Sequence, residues 1–217
     1  MKILRVSFSP RGPASESHRL SQSVIDHLRT SDPAATLVDR TIGSDALPHV
    51  DGNYAWAQHS AAAELSPEGS IARSEALIQE LEAADVVVIG TPMHNLGIPS
   101  SLKAWIDHVV RARRTFNVSS EGKTGTLHDR PVFIAVASGG RYSGERARQP
   151  DFLTPYLKAI LATIGLHDLR FFSVQGTALG PEAVAEARAQ AERALQVHFG
   201  AQDVLPPALR TAPTMGA

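Results

Sequence analysis

The sequence predicts a doubly wound α/β fold, with one parallel five-stranded sheet in the order 2-1-3-4-5 and helices on both faces. Three observations lead there. Short apolar runs alternate with longer stretches of three- and four-residue apolar spacing, the pattern of repeated strand and helix units. Val86-Val87-Val88-Ile89 and Pro131-Val132-Phe133-Ile134-Ala135-Val136-Ala137 are apolar at successive positions, as strands covered on both faces must be. Right-handed crossovers then restrict the order in which such strands pair.

Composition narrows the function. The chain has 217 residues, with 21 basic against 22 acidic side chains and a formal charge of −1, so nothing attracts it to nucleic acid or to an anionic membrane. With no cysteine, thiol chemistry, disulfides and iron–sulfur ligation are excluded, and a redox role needs a bound cofactor. The nine histidines lack HExxH or comparable spacing, so no metal site is expected. No apolar run reaches the roughly 20 residues a membrane helix needs. Met1 to Val6 leads directly into a strand pattern without a signal-peptide core, which points to a cytoplasmic protein.

Ile3 to Phe8 reads as the first strand. Ser9-Pro10-Arg11-Gly12-Pro13-Ala14-Ser15-Glu16-Ser17 is a loop of turn formers and hydroxyls, and Ser15 or Ser17 can cap the helix that buries Leu20, Val24 and Leu28. Free N–H groups at such a helix start favour an anion, with Ser9, Ser15 and Ser17 as extra donors. The loop lacks the GK[ST] ending of a Walker motif and the GxGxxG fingerprint, so a single terminal phosphate suits it best; an ordinary capped helix is the alternative. Thr36 to Asp39 is a short edge strand. Residues 41–70 are irregular, with a short helix possible from Tyr54 to Leu65; Tyr54 and Trp56 are expected to seal this insertion onto the body, the alternative being an active-site mouth or a dimer contact. Ile71 to Ala83 is the next helix.

Asp85 to Asp107, DVVVIGTPMHNLGIPSSLKAWID, is the centre of the pattern: a buried strand ended by Gly90, a loop that its two prolines keep from being helix, and an amphipathic helix capped by Ser100 or Ser101. Leu102, Trp105, Ile106 and Val109 face the sheet. The basic cluster Arg111, Arg113 and Arg114 has a structural explanation near a helix end. Thr115 to Val118 and Gly125 to Leu127 flank a turn, a hairpin-like excursion. The fourth strand, Pro131 to Ala137, ends in Ser138-Gly139-Gly140, whose backbone N–H groups can approach a ligand closely. Asp151 or Thr154 opens a helix stopped by Gly165; Leu169 to Val174 is the fifth strand; Gly180-Pro181-Glu182 starts the last helix. Residues 1–200 are read as one domain and 201–217, with three prolines, as an extended or disordered tail.

The segment TPMHNLGIPSSLKAWID resembles the cofactor loop of the FMN-dependent NADH:quinone oxidoreductases of the azoreductase type, and the likeness continues through the serines before the first helix, the Ser138-Gly139-Gly140 turn, TPYL and GPE. The resemblance implies a flavodoxin-like FMN-binding domain, a homodimer, NADH or NADPH as electron donor and a quinone or azo compound as acceptor. It implies cofactor contacts from Ser9, Arg11, Ser15, Glu16 and Ser17 at the phosphate end. Pro92, Met93, His94, Asn95 and Leu96 would lie against the ring, and Ser138, Gly139 and Gly140 at its pyrimidine edge. Phe116, Val118 and Tyr142 are the substrate-side candidates; Val118 stands where many relatives carry an aromatic, and Tyr142 where relatives often carry histidine. No catalytic side chain is required, since the flavin carries the chemistry, and one exposed ring face predicts ping-pong kinetics. Gly90 and Thr91 at the third strand end exclude a response regulator, which needs an acid there. A flavodoxin-type electron carrier or a non-catalytic flavin-binding protein is the alternative, although carriers of that type are strongly acidic and this chain is nearly neutral.

Overall fold

The structure is a computed structural model that describes residues 1–43, 45–59 and 69–200. In chain order its elements are β1 (Lys2–Ser7), α1 (Glu16–Ser31), β2 (Thr36–Thr41), α2 (Gly52–His59), α3 (Gly69–Ala83), β3 (Val86–Pro92), α4 (Ser100–Val109), β4 (Phe116–Ser119), β5 (Gly122–Gly125), β6 (Val132–Ser138), α5 (Leu153–Thr163), β7 (Leu169–Gln175) and α6 (Pro181–Gly200). A short 3₁₀ turn, Gly12–Ala14, precedes α1. The main sheet has the order β2-β1-β3-β6-β7, and every pair in it is parallel. It is the predicted 2-1-3-4-5 arrangement once the β4–β5 hairpin is set aside.

Alternation along the strands divides the core into two layers. Ile3, Val86, Val88, Phe133 and Ala135 face α1 and α6, where Leu20, Val24, Leu28 and Leu195 are buried. Leu4, Val87, Ile89, Val132 and Ile134 face α3, α4 and α5, where Leu77, Ile78, Trp105, Ile106 and Leu157 are buried. Each fully buried aliphatic side chain contributes about 1.5–3 kcal/mol. Trp105, 2 % exposed and edge-on to Phe8, anchors α4 beneath the central strands, so Trp105→Ala would cost about 3–5 kcal/mol.

Ser15 caps α1, its Oγ accepting from His18 N at 3.2 Å. No serine caps α4: Pro99 takes the cap position, and Ser101 Oγ instead donates to Phe8 O at 2.9 Å, tying α4 to the end of β1. Phe152 takes the cap position of α5, and Asp151 just before it satisfies the first turn by accepting from Leu153 N and Thr154 N, both at 2.9 Å. The hairpin is tighter than expected: Ser120 and Glu121 alone make the turn, Gly122 opens β5 with φ +118°, Lys123 and Thr124 continue it, and Lys123 lies over the Phe116 ring. The second arm therefore lies earlier than Gly125 to Leu127.

Tyr54 seals α2 onto the body, donating from its hydroxyl to Asp107 O at 2.8 Å, but Trp56 is 77 % exposed. Asp51 holds the starts of α2 and α3 together, accepting from Tyr54 N at 2.8 Å and Ser70 N at 3.1 Å. The expected helix beyond His59 and the tail at 201–217 lie outside the described residues. Arg111 and Arg114 pair with Glu75 of α3, and Arg114 also with Glu82, so the basic cluster is structural through α3.

Candidate active site at the carboxyl rim of the sheet

The chain winds outward from β1 to β2 and then returns across β1 to β3, so β1 and β3 part at the carboxyl end of the sheet, where ligands bind in open α/β folds. A cavity of about 690 Å³ opens there. Its walls come from the ends of β1, β3, β6 and β7.

At the β1 end, Ser9, Arg11, Ser15, Glu16 and Ser17 line the cavity. Positive φ at Gly12 lets the chain turn sharply, with Gly12 N donating to Ser9 O at 3.0 Å. Ser15 Oγ lies 3.4 Å from Ser17 Oγ, and both residues are buried. His18 N is used by the Ser15 cap, whereas the N–H groups of Glu16 and Ser17 donate to no other described residue. The result is a cluster of hydroxyls and free amides at the positive end of a 16-residue helix. The Glu16 carboxylate lies in a fork from Arg188 of α6, at 2.8 and 2.6 Å. That pairing holds its carboxyl below the usual range, against the opposing effect of burial.

At the β3 end, Pro92, Met93 and His94 line the cavity. Met93 N donates to Ala137 O at 2.8 Å, so the chain keeps to the sheet past β3. His94 and Gly97 then exchange hydrogen bonds at 3.0 and 2.9 Å around Asn95 and Leu96, which have φ of +48° and +70°. This is a two-residue turn with both central residues left-handed. Asn tolerates that conformation, but for leucine it is strained. Leu96 O accepts from Phe152 N at 3.1 Å, holding the turn in place. Asn95 and Leu96 themselves do not line the cavity.

At the β6 end, Gly139 lines the cavity; Ser138 and Gly140 flank it without lining it. The carbonyls of residues 138–140 accept from Thr177, Ala178 and Gly176 of the loop after β7, while the N–H groups of Gly139 and Gly140 donate to no other described residue. Ser138 Oγ donates to Met93 Sδ at 3.7 Å, and Gln149 Nε2 donates to the same sulfur at 3.2 Å. A Cβ on Gly140 would collide with the Gln149 carboxamide, so glycine there admits Gln149.

The substrate-side candidates lie elsewhere in the chain. Phe116 is 7 % exposed within the core, Val118 is 67 % exposed on β4, and Tyr142 is packed against Ser173, with burial pushing its hydroxyl up to about 12. None of the three lines the cavity. The sequence reading missed the fourth wall, made by Thr177, Ala178, Gly180, Pro181, Val184 and Arg188. A signal was present: Gly176-Thr177-Ala178-Leu179-Gly180-Pro181 follows a strand and opens a helix, as the first loop does. Among the described residues, no group of three or more histidine, aspartate or glutamate side chains is arranged to hold a metal ion.

Comparisons of sequence and of structure with known proteins show the fold and the family. A family model described as having a flavodoxin-like fold matches residues 1–199, which defines the class. The chain is 45% identical over 195 residues to FMN-dependent NADH:quinone oxidoreductase 4 of Pseudomonas fluorescens (strain Pf-5), covering 90% of this chain and 94% of that protein. It is 43% identical to FMN-dependent NADH:quinone oxidoreductase 5 of Burkholderia lata, covering 87% and 91%. The FMN-dependent NADH-azoreductase of Bacillus anthracis str. Ames Ancestor, solved in complex with FMN, aligns with a TM-score of 0.74 at 26% identity over 92% of this chain and 100% of that one. An azoreductase from Bacillus anthracis str. Sterne shares the fold with a TM-score of 0.80 at 23% identity, covering 93% and 100%. The chain belongs to the FMN-dependent NADH:quinone oxidoreductase family.

Proposed function

We propose that the protein is an FMN-dependent oxidoreductase that takes two electrons from NADH or NADPH and delivers them to a quinone or azo acceptor. The observation that carries this reading is the convergence of the loops after β1, β3, β6 and β7 on one cavity of about 690 Å³, polar at one end and apolar along its wall. That volume lies within the range of small-molecule cofactor sites. FMN, when bound, supplies the two-electron chemistry that side chains of a cysteine-free protein do not.

The donor set fits such a group. The Ser9 and Ser17 hydroxyls, the free N–H groups of Glu16 and Ser17, and Arg11 would hold a phosphate monoester, while Ser15, whose Oγ donates to Gly12 O at 2.8 Å, shapes the loop around it. Pro92, Met93, Ala137, Ala178 and Val184 offer an apolar wall to a flat ring, and the unpaired N–H groups of Gly139 and Gly140 favour negative charge at its edge. Gln149 and Ser138 hold Met93 in that wall. Asn95 and Leu96 form the turn that fixes its far end. Because the segment from Pro92 to Leu96 closes one side, donor and acceptor must use the remaining side in succession, which gives ping-pong kinetics.

A homodimer belongs to the same proposal: Trp56 on α2 and Val118 on β4 are exposed apolar side chains that a second copy would cover. So does the role of Phe116, Val118 and Tyr142 on the acceptor side, which a second copy would have to complete. Residues 1–200 are read as one FMN-binding unit, supported by the family match over 1–199. Among the described residues no helix is long and apolar enough to cross a membrane. A nicotinamide donor suits a cytoplasmic location.

The test is steady-state oxidation of NADH and NADPH by the purified full-length chain, with menadione and an azo dye as acceptors and flavin content measured alongside. The reading expects many turnovers per flavin and parallel double-reciprocal lines. Bound flavin that is reduced once and not reoxidised by either acceptor would instead mark an electron carrier.

A further inference from the structure

Glu16 raises a problem of charge that the structure answers. As the first residue of α1, an acidic side chain suits the helix dipole. It also lines the end of the cavity where Ser15 and Ser17 gather, and there a carboxylate would repel a phosphate dianion. Arg188, from the far end of the sequence, meets Glu16 in a two-point fork, with Nε to Oε2 at 2.8 Å and Nη2 to Oε1 at 2.6 Å. Such parallel charge-assisted bonds fix both position and charge. Arg19 approaches the same carboxylate only to 3.9 Å. Arg11 forms no ion pair among the described residues, which leaves its charge to the cavity.

Resting on the FMN reading above, we infer that Arg188 is a positioning residue that cancels the charge of Glu16, and so lets the cavity accept a phosphate-bearing flavin in preference to one without phosphate. Glu16 and Arg188 together are neutral, and Arg11 with the α1 amides supplies the net attraction. The inference assigns Arg188 a part in selecting FMN over riboflavin; it does not require Arg188 to touch either. The lowered carboxyl of Glu16, held down chiefly by Arg188 with help from Arg19 and Arg11, keeps the pair ionised at neutral pH.

The experiment is equilibrium titration of flavin-stripped full-length protein with FMN and, separately, with riboflavin, followed by quenching of flavin fluorescence. Arg188→Ala should weaken FMN about fivefold, the scale of one solvent-screened unit charge nearby, and leave riboflavin unchanged. Glu16→Gln with Arg188→Ala should restore FMN affinity to near the parent value, and Glu16→Gln alone should tighten it. Arg188→Lys, which keeps the charge and loses the fork, should fall between parent and alanine. The FMN effect should shrink in high salt. Unchanged FMN affinity in Arg188→Ala would overturn the inference. Equal weakening of FMN and riboflavin would do the same, because it would reduce Arg188 to a packing role. Failure of the parent chain to bind FMN at all would overturn the functional reading itself, a distinguishable result.

Discussion

The Gln149 carboxamide donates to Met93 Sδ at 3.2 Å, joining the segment after β6 to the segment after β3 across the wall of the cavity. The same amide also donates to Ser138 Oγ at 3.3 Å, so Met93 is held by two residues from a distant segment that also hold each other. Gly140 makes room for this contact, since a Cβ there would displace the Gln149 side chain. Gly140→Ala is therefore expected to lower unfolding stability by about 1 kcal/mol through overpacking. Adding Gln149→Ala to that variant should recover most of the loss. Urea unfolding of both single variants and the double variant checks this; equal losses with and without Gln149 would refute the contact.

Leu96 holds φ +70° in the turn between His94 and Gly97. Leu96→Gly, which has no Cβ to strain, should raise the thermal midpoint, while Leu96→Val should lower it because branching at Cβ worsens the same clash. The difference between the two variants should be about 1–2 kcal/mol. A midpoint that falls in both by similar amounts would show that side-chain packing, not backbone strain, governs this position.

Glu75 is held down from 4.5 to about 2, chiefly by hydrogen bonding to Arg114, with Arg111 also lowering it and burial opposing. A carboxyl lowered on folding contributes stability that is fully present above its unfolded value and is lost as pH falls through the folded one. Stability should therefore decline between pH 4.5 and about 2, and Glu75→Gln should make that decline shallower. At neutral pH the same substitution should cost roughly 2 kcal/mol, because Arg111 is buried and would lose its carboxylate partner. Chemical unfolding across this pH range provides the measurement. A parallel pH dependence in parent and variant would contradict the assignment.

Tyr142 is kept neutral by burial, its hydroxyl pushed up to about 12 against the opposing effect of Ser173. Such a group has little tendency to lose a proton at neutral pH, and it does not line the cavity of the single chain. Tyr142→Phe should leave the kcat for menadione reduction within about twofold of the parent and its pH profile unmoved. A drop of tenfold or more in kcat, with KM unchanged, would assign it the proton donor's role.

The parts of the molecule legible in the sequence are those specified by local pattern. Val86 to Ile89 and Val132 to Val136 announce buried strands because consecutive positions are apolar, and the structure buries every one of them. The prolines after Gly90 announce a shaped turn, although the strand is not ended by Gly90: Gly90 and Thr91 still pair with Ala135 and Val136, so β3 runs to Pro92 and the turn comes at His94 to Gly97; Gly165 announces a helix stop, confirmed by φ +100°. Contacts between distant segments leave no such trace. Arg188 meets Glu16 across 172 positions, and Gln149 meets Met93 across 56, so neither residue stands out in a helix or loop read alone. Ser101 departs from its local pattern for a related reason: its hydroxyl suits a cap, but Phe8 O, which only the sheet brings near, competes for it.

The central claim is that four separate loops at one rim of the sheet enclose a single FMN. Amide hydrogen exchange of the full-length protein, measured with and without stoichiometric FMN, tests it most directly. The account predicts slowed exchange in the segments containing Glu16 and Ser17, Met93 to Leu96, Gly139 and Gly140, and Thr177 to Gly180, with the β2 edge unchanged. Protection confined to one of these segments, or centred on β2 and the far end of the sheet, would contradict it.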